Sequence, residues 1–210
     1  MIAKTACRIG AGLLLLCAGV PVALAAPQTK PTYESLLERA KRQDPGVDFT
    51  ALRMAYFEAP KHGTTDSDLR KAMFSALGEK NYDQALAIAG QILNVNYLDI
   101  DAHLISALVS KKKNDLERQK LHDFVGKGLT QSILRSGDGK TLDTAYVVIS
   151  VDEEYSLLRV LGLRMGGQTL LNAGAHHYDQ MDVSDPKTGQ KLTVYFNIDK
   201  PYAEELKMFQ

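Results

Sequence analysis

Past its first 25 residues this chain has no cysteine: Cys7 and Cys17 both lie in the opening segment. Once that segment is gone, disulfides, a thiol nucleophile and cysteine metal ligands are all excluded. An excess of positive charge is missing too. The chain holds 25 basic and 25 acidic residues. Without Lys4 and Arg8 the balance is 23 against 25, a net charge of −2. Nucleic-acid binding rewards a concentrated basic surface, so no nucleic-acid partner is expected. No second apolar run approaches the roughly 20 residues of a membrane span. Complete catalytic motifs are lacking as well. There is no G-x-S-x-G for an elbow serine. "GDGKT" (137–141) shares the end of a phosphate loop, but Leu134 sits five residues before Gly139, where that loop needs glycine, and a helix rather than a strand precedes it.

What is present begins with an export signal. Lys4 and Arg8 precede the apolar run "AGLLLLCAGVPVALAA", which ends in the small-x-small pattern Ala23-Leu24-Ala25. Cleavage after Ala25 is expected, with a periplasmic or secreted mature chain; an uncleaved anchor is the alternative. Leu16 stands directly before Cys17, where lipid attachment needs a small residue. The remaining chain, roughly 185 residues, can bury a core without staples.

Residues 26–32 read as a mobile, proline-containing leader. From 33 to 135 the spacing is helical. "YESLLERAKRQ" and "DFTALRMAYFEA" carry apolar stripes, the latter through Phe49, Leu52, Ala55 and Tyr56. "LRKAMFSAL" runs to Gly78, which suits the position after a helix. "NYDQALAIAGQIL" opens with Asn81 and Gln84, close to a capping box. "LDIDAHLISALVSKKK" and "DLERQKLHDFVGKGLTQSIL" complete the block. The run from Leu69 through Tyr82 to Ala85 resembles a tetratricopeptide helical pair, although the likeness fades over the following repeat.

From 136 to 210 the pattern changes to β-α-β-β-β. "AYVVIS", apolar on both faces, reads as a central strand. Ser150 and Glu153 form an S-x-x-E capping box before the helix "DEEYSLLRVL". "LRMGGQTLL", "AHHYDQMDV" and "KLTVYFNID" read as strands, the last two joined by the turn "DPKTG". The fold class is therefore α+β: N-terminal tetratricopeptide-like helical hairpins packed on a small, mostly antiparallel C-terminal sheet with one helix, one continuous folded unit.

"AHHYDQMDV" concentrates chemistry-bearing side chains. Pairing Asp185 with Gln190 puts His177 and Asp179 on the core face with Met181 and Val183, and His176, Tyr178, Gln180 and Asp182 on the other. His177 and Asp179 then suit a base–carboxylate pair or two metal ligands. The plainer reading is a strand reaching the sheet rim, and no H-x-x-x-H, H-E-x-x-H or D-x-H surrounds the pair. His62, His103 and His122 are scattered singly. Glu153 and Glu154 are paired carboxylates, yet at a helix start capping and the helix dipole explain them. The same holds for Asp99 and Asp101.

"YESLLERAKRQDPGVDFTALRMAYFEA", "NYLDIDAH", "SGDGKT", "AYVVISVDEEY", "YDQMDV" and "YFNID", in this order, resemble the secreted bacterial family catalogued as domain of unknown function 4919, over residues 33–202. The resemblance implies one folded unit exported by Gram-negative bacteria. It carries no established activity and no catalytic residues.

These readings favour a binding or interaction module of the bacterial cell envelope with a protein or peptide partner, no cofactor and no resident metal. Stacked hairpins offer a concave face, and tyrosines make good anchors. The candidate contacts are Tyr82, Tyr97, His103, Tyr155 and Tyr195. The alternative is a small envelope hydrolase or metal-dependent enzyme using His177 and Asp179 with Glu153 or Glu154. A third reading is an immunity-like protein that blocks a secreted partner.

Overall fold

The computed structural model describes residues 30–59 and 66–208. The expected signal segment with both cysteines, the leader up to residue 29, and His62 lie outside the described residues. Among the described residues no helix is long and apolar enough to cross a membrane.

Among the described residues six helices come first: α1 (Tyr33–Lys41), α2 (Phe49–Glu58), α3 (Ser67–Gly78), α4 (Tyr82–Val95), α5 (Ile100–Lys112) and α6 (Leu116–Leu134). Short polar side chains start them. Thr32, Asp48, Asp66, Asn81, Asp99 and Asp115 each accept a backbone N–H of the first turn. Gln84 completes the cap of α4 by accepting from the Asn81 amide at 2.8 Å. The stops differ from expectation. Gly78 stays inside α3, and Lys80 takes the left-handed conformation. The Asn81 N–H then reaches back to the Ala76 carbonyl at 2.8 Å. Asn114 closes α5 the same way, with the Asp115 N–H on Ser110. A left-handed lysine costs about 1 kcal/mol, so Lys80→Gly should raise stability by about 0.5–1 kcal/mol in urea unfolding. Asn114→Gly should gain less, because asparagine tolerates this conformation.

The second half contains β1 (Tyr146–Val147), α7 (Val151–Val160), β2 (Arg164–Ala173), β3 (His176–Ser184), β4 (Lys191–Asn197) and α8 (Asp199–Met208). The sheet order is β1-β4-β3-β2, with β1 parallel to β4 and the other pairs antiparallel. The β3–β4 register is the expected one: Val183 faces Leu192, Met181 faces Val194 and Asp179 faces Phe196. The Asp185 N–H donates to the Gln190 carbonyl at 2.9 Å, and Gly189 turns the hairpin at φ 74°.

Three expectations are corrected here. "AYVVIS" is not a central strand: β1 is two residues long and sits at the sheet edge. Its apolar residues are buried by packing beyond the ladder. Ser150 makes no side-chain cap: the Glu153 N–H goes to the Ser150 carbonyl at 3.2 Å, and the Glu153 side chain is turned inward to other partners. The last strand ends at Asn197, and "DKPYAEELKM" forms α8.

Among the described residues two apolar clusters hold the fold together. The first joins α1, α2, the start of α5, α6 and α7 to the sheet through Leu36, Leu52, Leu129, Leu157, Met181 and Phe196. The second lies among α3, α4 and α5, around Met73, Ile92 and Val109. The residues from Pro31 onward make one compact unit.

Candidate functional site

The sheet presents the core face of β3 to α7. Asp179 sits there beside Met181 and is 5% exposed; Glu154, one turn into α7, is fully buried. Their carboxyl groups interact, and neither Glu154 oxygen has a conventional hydrogen-bond donor among the described residues. Burial first, then the Asp179 charge, pushes the Glu154 pKa up to about 9. Burial also raises Asp179, opposed by hydrogen bonds from Gln168 and Glu154. The shared proton therefore sits on Glu154. Gln168 of β2 donates its amide to Asp179 at 2.7 Å, and its carbonyl accepts the Tyr155 hydroxyl at 3.0 Å. Gln168 is exposed and Tyr155 half-buried. These two polar side chains cover the acid pair from outside.

Glu153 points elsewhere. It receives both arms of the fully buried Arg53 from α2, at 2.7 and 2.5 Å. Arg53 also donates to Ser132 of α6 at 3.2 Å and to the Val147 carbonyl of β1 at 2.9 Å. The Ile149 N–H adds a bond to Glu153 at 2.9 Å. A second ionic group ties α3, α5 and α7. Arg70 holds Asp99 at 2.6 Å, Asp152 at 2.7 Å and Asp101 at 3.2 Å, while Arg159 and Ser156 also bond Asp101. Capping accounts for Asp99 only in part and for Asp101 not at all. The same correction applies to Glu153 and Glu154, whose roles are tertiary.

His177 and Asp179 share a face, but each has different partners. The His177 ring stacks on Tyr202 of α8 at 3.8 Å, and its backbone N–H donates to Asp199 at 2.7 Å. Asp199 also accepts from His176 Nδ1 at 2.6 Å; burial pushes its pKa up, and these contacts together outweigh burial and hold it below the usual carboxylate value. Asp179 instead bonds Gln168. Among the described residues no three His, Cys, Asp or Glu side chains converge as metal ligands.

The proposed contact residues do not form one surface. Tyr82 lies under Lys112 on the α4–α5 side. Tyr97 packs edge-on against His103, which is fully buried. His103 Nε2 lies 2.7 Å from the Tyr97 carbonyl and must carry the hydrogen there. Burial keeps this ring neutral, with its pKa pushed down to about 3. Its bare Nδ1 therefore accepts from His122 Nδ1–H at 2.9 Å. Tyr195 belongs to the opposite sheet face, where its N–H meets the Gly139 carbonyl at 2.9 Å. Of the five, Tyr155 alone borders the acid pair.

Arg53, Gln168 and the free edge of β2 are what sequence reasoning missed. β2 is ten residues long, and among the described residues its outer edge has no backbone partner. A bulge between Met165 and Gly167 keeps Met165, Gln168 and Leu170 on the α7 side. Met165 is 42% and Leu170 49% exposed. α7 packs against β2 but leaves this stripe open. On the hairpin side of the bulge lies an open trough of about 400 Å³, lined by Gly166, Asp182, Ser184, Lys191 and Thr193 among others. The one sequence signal for this edge is the Gly166-Gly167 pair inside an apolar strand.

A family model described as "Domain of unknown function (DUF4919)" matches residues 24–207. No curated protein and no solved structure matches the chain.

Proposed function

The chain belongs to the DUF4919 family, and from that premise we propose that it is a binding module of the bacterial cell envelope that takes up an extended peptide along β2. The observation that carries this reading is the free ten-residue edge beside an open apolar stripe. A row of unpaired N–H and C=O groups is complementary to another strand, and neighbouring side-chain positions give selectivity. Met165 and Leu170 would meet apolar residues of the peptide, and Gln168 and Tyr155 a polar one. The opening "MIAKTACRIG" and its apolar run support export. The left-handed turns at Lys80 and Asn114, 34 residues apart, support the tetratricopeptide-like reading of α3 to α6. The acid–base reading of His177 with Asp179 gains no support from the geometry, since their partners differ.

Panning a random peptide display library against the protein tests this. Enriched peptides should alternate apolar and polar residues. Their synthetic versions should lose at least tenfold in affinity with Leu170→Glu. Equal affinity for the Leu170→Glu protein would sink the proposal.

A further inference from the structure

We infer that Glu154 and Asp179 form a receptor for the ammonium group of a lysine carried by the peptide that docks on β2. The inference rests on the docking reading and names the residue that the peptide supplies.

Three observations lead there. First, Glu154 is fully buried and its carboxyl meets only the Asp179 carboxyl; neither oxygen receives a donor from any other group among the described residues. Such groups are rare and call for a partner. Second, among the described residues the other charged groups on the elements around it are already engaged or have the same sign. On α7, Glu153 is held by Arg53 from α2, and Arg159 is drawn to Asp101 of α5. From β3 comes Asp179, another carboxyl, and from β2 the uncharged Gln168. Third, the covering side chains are the kind that can swing. Gln168 is exposed, and its two hydrogen bonds to Asp179 and Tyr155 are the polar link over the pair.

The chemistry of the ligand follows from the donors needed. A hard metal ion requires six or more oxygens, and no third carboxylate or histidine converges here among the described residues. A guanidinium spreads five donors over a plane. An ammonium concentrates three donors at one point on a thin apolar stem. That stem would lie along Tyr155 and Leu170 while the head replaces the Gln168 amide at Asp179. Empty, Glu154 is protonated, as its raised pKa requires. On capture it releases that proton to solvent, so one proton leaves for each lysine bound and the site keeps the single negative charge it carries when empty.

The test uses n-butylammonium, the lysine side chain alone, with carboxyl-labelled protein followed by NMR. Saturating n-butylammonium should lower the titration midpoint of Glu154 by at least two pH units. 1-Butanol, the neutral analogue, should leave it in place. Glu154→Gln and Asp179→Asn keep the shape of the site and should each weaken n-butylammonium binding at least tenfold. A Glu154 titration unchanged by n-butylammonium would overturn the inference. So would peptides from the panning that bind equally well with norleucine in place of lysine, an outcome that leaves the docking reading standing. A response to n-butylammonium with no peptide captured would instead sustain the subsite and overturn the docking.

Discussion

Replacing Arg53 by methionine will lower the unfolding free energy by about 3–5 kcal/mol, the largest loss expected from one substitution in this chain. Arg53 is 1% exposed and satisfies Glu153, Ser132 and the Val147 carbonyl at once. Methionine fills much of the volume but leaves Glu153 charged, buried and short of two donors. The partner substitution distinguishes this from a packing defect. Arg53→Met with Glu153→Met removes both charges, and a buried ion pair replaced by apolar groups is often neutral. Urea unfolding should find the double variant well above the Arg53→Met single. A single variant within about 1 kcal/mol of the parent would mean that the pair contributes no more than a surface salt bridge.

Glu154→Gln acts in the opposite direction. The Glu154 pKa rises from an ordinary 4.5 to about 9 in the folded chain. A carboxyl raised in this way contributes its full stability below its unfolded pKa. It loses that contribution as pH climbs through the window from 4.5 to 9, at up to about 1.4 kcal/mol per pH unit. Glutamine keeps an N–H donor for Asp179 and cannot ionise. At pH 8 the variant should therefore be more stable than the parent by about 2 kcal/mol or more. At pH 4 the two should be nearly equal. Thermal unfolding followed across this range should show a falling curve for the parent and a flatter one for the variant. Parallel curves would remove Glu154 as the source of the slope.

The helices α1 to α7 and the β3–β4 hairpin were legible in the sequence because their causes are local. Asn81, Asp99 and Asp115 sit at cap positions, and Leu192, Val194 and Phe196 alternate as a strand must. The candidate site was not legible, because its causes are distant. Arg53 and Glu153 stand 100 residues apart, and nothing near either announces the other. Asp101 and Glu154 lie in first turns, where a cap is the sufficient local account, so only the packing of α7, against α3 and α5 for Asp101 and against the sheet for Glu154, reveals their other duties. The shortness of β1 followed from the same limit: "AYVVIS" is apolar enough for a full strand, but its burial comes from helices and its ladder stops after two residues. α8 was hidden by Pro201, which reads as a breaker but is tolerated in a first turn.

The two apolar clusters divide the chain unequally along its length. The first is assembled from residues before position 60 and after position 97, while α3 and α4 belong to the second alone. In topological terms the α3–α4 hairpin is an excursion whose ends return to the same core. Closing a longer excursion costs little, about 0.6 kcal/mol for each doubling of length. The architecture thus separates a part where Arg53 and Glu153 clasp segments that lie before and after the excursion from a part whose length can change without rebuilding that clasp.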